Sequence, residues 1–226
     1  MSNIPNSAKV GSNVVIEGGV IIGENVVIGH NTVLLEGTQI GDNVEIGSNC
    51  VLGIQPRSNQ KMRRINKNTR KLIIQNDIKI GHLVSIYLGT IISDNVFIGD
   101  HASIRENVSV DTGTVVGRAA IIELNSLIGK DCTIQTLAYV TGDTILEDDV
   151  FIGPCVSMSN DKYMGAKEYK LKGPTIKKGA KIGNNSSLLP GIVIGQGTIV
   201  GAGSVVTKDL TDNEMFFGVP ARKIRS

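Results

Sequence analysis

The sequence predicts an all-β chain wound as a parallel β-helix, and three observations carry this. An aliphatic residue recurs every six positions, a turn-forming residue stands three places after most of these, and aromatic residues are nearly absent, with 4 Phe, 4 Tyr and no Trp. The key aliphatics run from Val10 through Ile16 and Ile22 to Leu52, from Ile74 to Met158, and from Ile176 to Val206, giving 29 repeats without a charge at the key position. A six-residue period suits neither a helix nor alternating strands, and a short internal repeat overrides either assignment. Four places after the key comes a small or β-branched residue, such as Val26, Thr32, Ala102 or Cys132, and both positions should point inward. Asn25, Asn43, Asn95, Asp131 and Gly191 occupy the third place, where a left-handed turn conformation is tolerated. Each repeat is therefore a short strand and a corner.

The exceptions reveal a longer period. Every third corner of the middle run departs from Asn, Gly or Asp: Leu83, His101, Ala119, Leu137 and Cys155, spaced by 18. Three repeats thus make one coil. At ~4.8 Å per strand layer, about ten coils give a prism on the order of 45 Å long. We expect a single domain over 1–226, with coils over 10–52, 74–158 and 176–206, extruded loops over 53–73 and 159–175, and a tail over 207–226. Loops of that length on a compact scaffold are often functional. Exposed corners have no reason to be Leu83, Ala119 and Leu137, so the middle section is where a second subunit should pack.

Length and composition narrow the classes. A chain of 226 residues can bury one sizeable core. Its net charge of +2 argues against nucleic acid or a membrane surface as partner of the whole chain. No apolar run approaches the roughly 18 residues of a spanning helix, and Met1 is not followed by a basic, then apolar leader, so a cytoplasmic location is expected. Cys50, Cys132 and Cys155 are odd in number and widely spaced, which predicts free thiols and no zinc site.

The segment IVGAGSVVTKDLTDNEMFFGVPARKIR (199–225), with its Gly218-Val219-Pro220-Ala221-Arg222-Lys223-Ile224 ending, is similar to the closing signature of the hexapeptide-repeat acyltransferases. The stretches LEDDVFIGPCVSMSNDKYMG (146–165) and GPTIKKGAKIGNNSSLLPGIVIG (173–195) resemble the branch that N-acylates nucleotide-linked amino sugars. The resemblance implies a left-handed coil, a homotrimer, and acyl-CoA, acetyl-CoA foremost, bound as cosubstrate between neighbouring prisms without a metal. The acceptor it implies is the amino group of a dTDP- or UDP-linked amino deoxysugar. Gly201, Ala202, Lys208, Arg222 and Lys223 match the coenzyme A positions, the small residues admitting pantetheine and the cations suiting phosphate.

Acyl transfer to an amine needs a group to bind or deprotonate the ammonium. Stacking by 18 puts Tyr87, Arg105, Glu123, Thr141 and Ser159 on one edge, where the second loop departs. Glu123 is the candidate base or amine ligand, or else an edge acid paired with Arg105. His101, with Asp100 beside it, is a second catalytic candidate at the expected subunit boundary. Tyr87, Arg105, Asn160 and Asp161 are candidate sugar contacts. Arg57, Arg63 and Arg64 of the first, basic loop are candidate fork donors to the diphosphate. The 159–175 loop contains no His, which disfavours the alternative of a sugar or small-molecule O-acetyltransferase using His101. A zinc-dependent β-helix enzyme would need His30, His82 and His101 to converge. A purely structural β-helix would show regular ranks of one side-chain type, and these outer positions are mixed.

Overall fold

The computed structural model of the protein describes residues 4–61 and 71–224. Its described residues form parallel sheets of 12, 10 and 9 strands, and consecutive strands go to the three sheets in turn. Most strands have two residues, because a six-residue repeat leaves four for the corner. The ladder runs between coils: Phe97 N–H donates to Thr114 O at 3.0 Å and Gly99 N–H to Val116 O at 2.7 Å. Register follows the period, with Phe97 opposite Val115 and Ile98 opposite Val116. This is the expected parallel β-helix.

Inside the coil both expected inward positions are buried, the key aliphatics such as Ile98 and Ile122 and the residues four places on such as Val96 and Ala120. Threonine and serine at the latter position keep their hydroxyls satisfied: Thr114 Oγ1 donates to Gly129 O at 2.9 Å and accepts from Cys132 N–H at 3.0 Å. Removing some 25 cal/mol per Å² of apolar surface from water is the driving force. The corners obey the turn rule, and Asn side chains form ladders along them, Asn107 Nδ2 donating to Asn125 Oδ1 and Asn125 Nδ2 to Asp143 Oδ1.

Two features extend the sequence expectation. Both loops leave the corner between the ten-stranded and nine-stranded sheets: the first departs after Val51–Ile54 and re-enters at Leu72–Ile74, the second lies between Ser157–Met158 and Thr175–Ile176. The tail also continues the stack. Met215–Phe217 pairs in parallel with Ile199–Val200, adding an eleventh layer to the larger sheet, and Arg222–Lys223 closes it as an antiparallel edge.

Candidate active site

The corner shared by the two loops carries the stacked edge read from the sequence. Tyr87 ends its strand at this corner, Arg105 and Glu123 directly follow theirs, and the 18-residue coil superposes them. Arg105 Cζ lies 4.8 Å from the Tyr87 ring centroid, the geometry of a cation–π contact. Its Nη1 is 3.6 Å from Glu123 Oε2. The expected pairing of Glu123 with Arg105 is therefore present, though too long for a good hydrogen bond.

Arg105 has a closer partner that sequence reasoning missed. Its Nε donates to Glu106 Oε2 at 2.8 Å and its Nη2 to Glu106 Oε1 at 3.1 Å, a bidentate fork. Glu106 is 4% exposed. Burial opposes the Arg105 charge, but the hydrogen bonds and charge of Glu106, then Glu123 and Tyr87, outweigh it and hold the guanidinium above its ordinary value. The position of Glu106 is polar in most repeats, so the hexad alone does not mark it. The coil does, since its neighbours 18 residues away are Leu88 and Leu124, and an acid between two leucines needs a cation. Tyr139 joins the same edge: burial pushes its hydroxyl up, the Glu123 charge adds to this, and a Thr141 hydrogen bond and Arg105 act against it.

Beside this edge a cleft of about 760 Å³ opens under the start of the first loop. It is lined by Tyr87, Leu88 and Arg105, by Gly53 to Gln55 and Arg57 from the start of the first loop, and by Glu17 and Glu36. Three of the expected substrate contacts, Arg57, Tyr87 and Arg105, thus converge on one space. Arg63 and Arg64 lie outside the described residues.

Other expected site residues are placed differently. Asp100 and His101 occupy the corner before Ser103–Ile104, whereas Glu123 follows Ile121–Ile122, so they flank opposite edges of the ten-stranded sheet. One chain does not bring them together. Asp100 Oδ1 accepts the His82 backbone N–H at 2.8 Å, as Asp42 Oδ1 does for Glu24 and Asp94 Oδ1 for Asn76, which is the coil's ordinary stitching. His82 Nδ1 and His30 Nδ1 accept the Ser48 and Ser12 backbone N–H groups, both at 2.8 Å. Among the described residues no group of three His, Cys, Asp or Glu is placed to hold a metal.

His101 stands exposed in its column, and Leu83, His101, Ala119, Leu137 and Cys155 all adopt left-handed conformations, with φ of 58, 61, 54, 61 and 56°. Leu83 and Leu137 are 48% and 57% exposed. In the second loop, Asp161 spends both carboxylate oxygens on backbone, Oδ1 accepting from Tyr163 N–H at 2.9 Å and Oδ2 from Gly165 N–H at 2.8 Å. Asn160 Nδ2 donates to Gly142 O at 3.3 Å, and its carbonyl accepts Lys172 N–H at 2.9 Å. Both residues brace the loop where a sugar contact was expected.

The tail gives a mixed result. Gly201 is buried, and a Cβ there would lie 1.9 Å from Phe217 Cδ1. Its smallness makes room for the chain's own Phe217 ring. Ala202 and Lys208 are exposed. Arg222 is exposed, its Nη1 donating to Ala221 O at 3.1 Å, and Lys223 Nζ pairs with Glu214 Oε1 at 2.6 Å.

A three-sided prism of six-residue coils with loops thrown from one corner defines a hexapeptide-repeat β-helix. Two family models account for most of it: the bacterial transferase hexapeptide (six repeats) over residues 1–36, 19–53 and 173–208, and the GMPPB C-terminal domain over 68–176. The chain is a hexapeptide-repeat β-helix, similar to the bacterial transferases of that repeat over its first and last coils.

Among curated relatives, the bifunctional protein GlmU of Thermosipho africanus is 35% identical over 147 residues, 63% of this chain and 31% of that protein. GlmU of Ruthia magnifica is 34% identical over 148 residues, with the same two coverages. The chain thus spans about a third of the length of these relatives. Among solved structures, the GDP-perosamine N-acetyl transferase of Caulobacter crescentus, in complex with CoA and GDP-perosamine, is 26% identical over 65% of this chain and 59% of that one, with a TM-score of 0.38. The polySia-specific acetyltransferase NeuO is 19% identical over 98% of this chain and 81% of that one, with a TM-score of 0.43.

Proposed function

We propose that the chain is an acyl-CoA-dependent N-acyltransferase acting on the amino group of a nucleotide-linked amino deoxysugar. One observation carries this reading: both loops leave the same corner, and that corner holds Glu123, Arg105, Tyr87 and the cleft closed by Arg57. A nucleotide sugar has a flat base, a charged diphosphate and, at its far end, an ammonium. In this reading the diphosphate meets Arg57 and the basic loop, since arginine forks match phosphate oxygens. Tyr87 offers a ring face, and the ammonium lies against Glu123. With its proton drawn off, the amine attacks the thioester carbonyl, a backbone N–H stabilises the oxyanion, and coenzyme A leaves as thiolate.

The cosubstrate lies along a groove between prisms of a homotrimer, with Ala202, Lys208 and Arg222 on its wall. The apolar corner column supports the assembly. A leucine held in a left-handed conformation costs roughly 1–2 kcal/mol, and burial against a second copy offsets that. Among the described residues no helix is long and apolar enough to cross a membrane.

The reading separates from an O-acetyltransferase by mutation. Glu123→Gln is expected to lower kcat by about 10²-fold or more, the usual share of a general base, while His101→Ala leaves turnover of the amino sugar measurable. The opposite pattern, His101 essential and Glu123 dispensable, would establish the hydroxyl-acylating alternative.

A further inference from the structure

Glu106 belongs to no site residue set expected from the sequence, yet it is the most buried carboxylate of the corner. It lies in the coil column between Leu88, which is buried, and Leu124, which is half-buried. A carboxylate so placed keeps its charge only by pairing with a cation, and its two oxygens hold Nε and Nη2 of Arg105. The Tyr87 ring fixes the guanidinium from one face. Only Nη1 is left toward Glu123, at 3.6 Å.

Charge at this corner does not balance. Arg105 brings one positive charge and Glu106 with Glu123, its two ion-pair partners, two negative ones. Because Glu106 takes the fork, the unmatched charge falls on Glu123. Were Glu106 absent, Arg105 would be free to turn its fork onto Glu123 and neutralise it. We propose that Glu106 is a positioning residue that holds Arg105 off Glu123 and so keeps the Glu123 carboxylate available to the ammonium group of the substrate. The inference rests on the N-acyltransferase reading given above and adds a residue that acts through another.

The test is steady-state kinetics on the full chain with acetyl-CoA and an accepted nucleotide amino sugar. Glu106→Gln keeps the shape and removes the charge. It is expected to raise KM for the amino sugar about tenfold, comparable to losing one charge-assisted hydrogen bond, while KM for acetyl-CoA stays within about twofold. In a Glu123→Gln background the same Glu106→Gln change is expected to leave the amino-sugar KM within about twofold, because no carboxylate is left for Arg105 to quench. A merely structural role predicts the same tenfold rise in both backgrounds. Glu106→Asp, which keeps the charge and shortens the fork, is expected to raise the amino-sugar KM less than Glu106→Gln and serves if the glutamine variant folds poorly. Equal changes in both KM values, no change in either, or the same rise in the Glu123→Gln background would overturn the proposal. If the unmodified chain acylates no amino sugar, the function itself falls and this proposal with it. An active parent with an indifferent Glu106→Gln defeats the proposal alone.

Discussion

The ring of Phe217 lies directly on Gly201, so close that a Cβ on the glycine would fall 1.9 Å from the ring. The contact joins the last regular coil to the tail layer that Met215–Phe217 adds above it. Gly201→Ala forces the ring or the strand to move, and overpacking of this kind costs about 1–3 kcal/mol. A lower Tm by thermal denaturation is expected, with the Gly201→Ala/Phe217→Ala pair more stable than the sum of the two single changes allows. Strict additivity would place the ring elsewhere.

The three cysteines separate by burial. Cys50 and Cys132 are buried and Cys155 is exposed. Burial pushes the Cys132 thiol up to about 11 from its ordinary 9.0, with Asp148 and Asp149 adding to it and hydrogen bonds opposing. In a monomeric variant, whose corner column is uncovered, one thiol per folded chain should react with a disulfide reagent at pH 8, and all three after denaturation. The folded thiol holds its proton where the unfolded one has lost it. Its contribution to stability is therefore complete below about pH 9 and declines as pH rises toward about 11. Cys132→Ser removes that decline, which urea titrations at pH 8, below the window, and at pH 10.5, well inside it, would register.

Leu83 and Leu137 hold a left-handed corner conformation while remaining about half exposed. Asparagine is the natural occupant of such corners, and Asn13, Asn31, Asn49 and Asn185 adopt it here. The double change Leu83→Asn/Leu137→Asn relieves local strain but removes the apolar surface offered to a second copy. Sedimentation should show a trimer for the parent and monomer for the variant, each monomer still folded by circular dichroism. A monomeric parent would remove the subunit groove from the account.

Periodicity made most of the fold legible. Ile98, Val116 and Ile134 stack as the six- and 18-residue spacings require, because a β-helix repeats its environment at fixed intervals. The same arithmetic placed Tyr87, Arg105 and Glu123 on one edge. What escaped it depends on contacts the repeat does not encode. Glu106 sits at a place in the six-residue repeat that is polar in most repeats, and it is buried in a coil column between two leucines. Gly201 matched a coenzyme A position, and its space is taken by Phe217 from a tail whose Met215 falls 16 residues after Ile199, outside the 18-residue spacing. Backbone contacts of the corners escaped it too: Asp100 Oδ1 accepts a backbone amide at 2.8 Å, and Asp161 Oδ1 accepts one at 2.9 Å. Short side chains at corners are recruited first by unpaired backbone donors.

The central claim is that this corner transfers an acyl group to the amine of a nucleotide sugar. Its most direct test is mass spectrometry of reactions that pair acetyl-CoA and longer acyl-CoAs with a panel of dTDP- and UDP-linked amino deoxysugars, with the corresponding hydroxyl sugars as controls. The account predicts a mass gain of one acyl group on an amino sugar, release of free coenzyme A in equal amount, and no gain on its hydroxyl counterpart. Acylation of the hydroxyl sugars instead, or no gain on any amine, would contradict it.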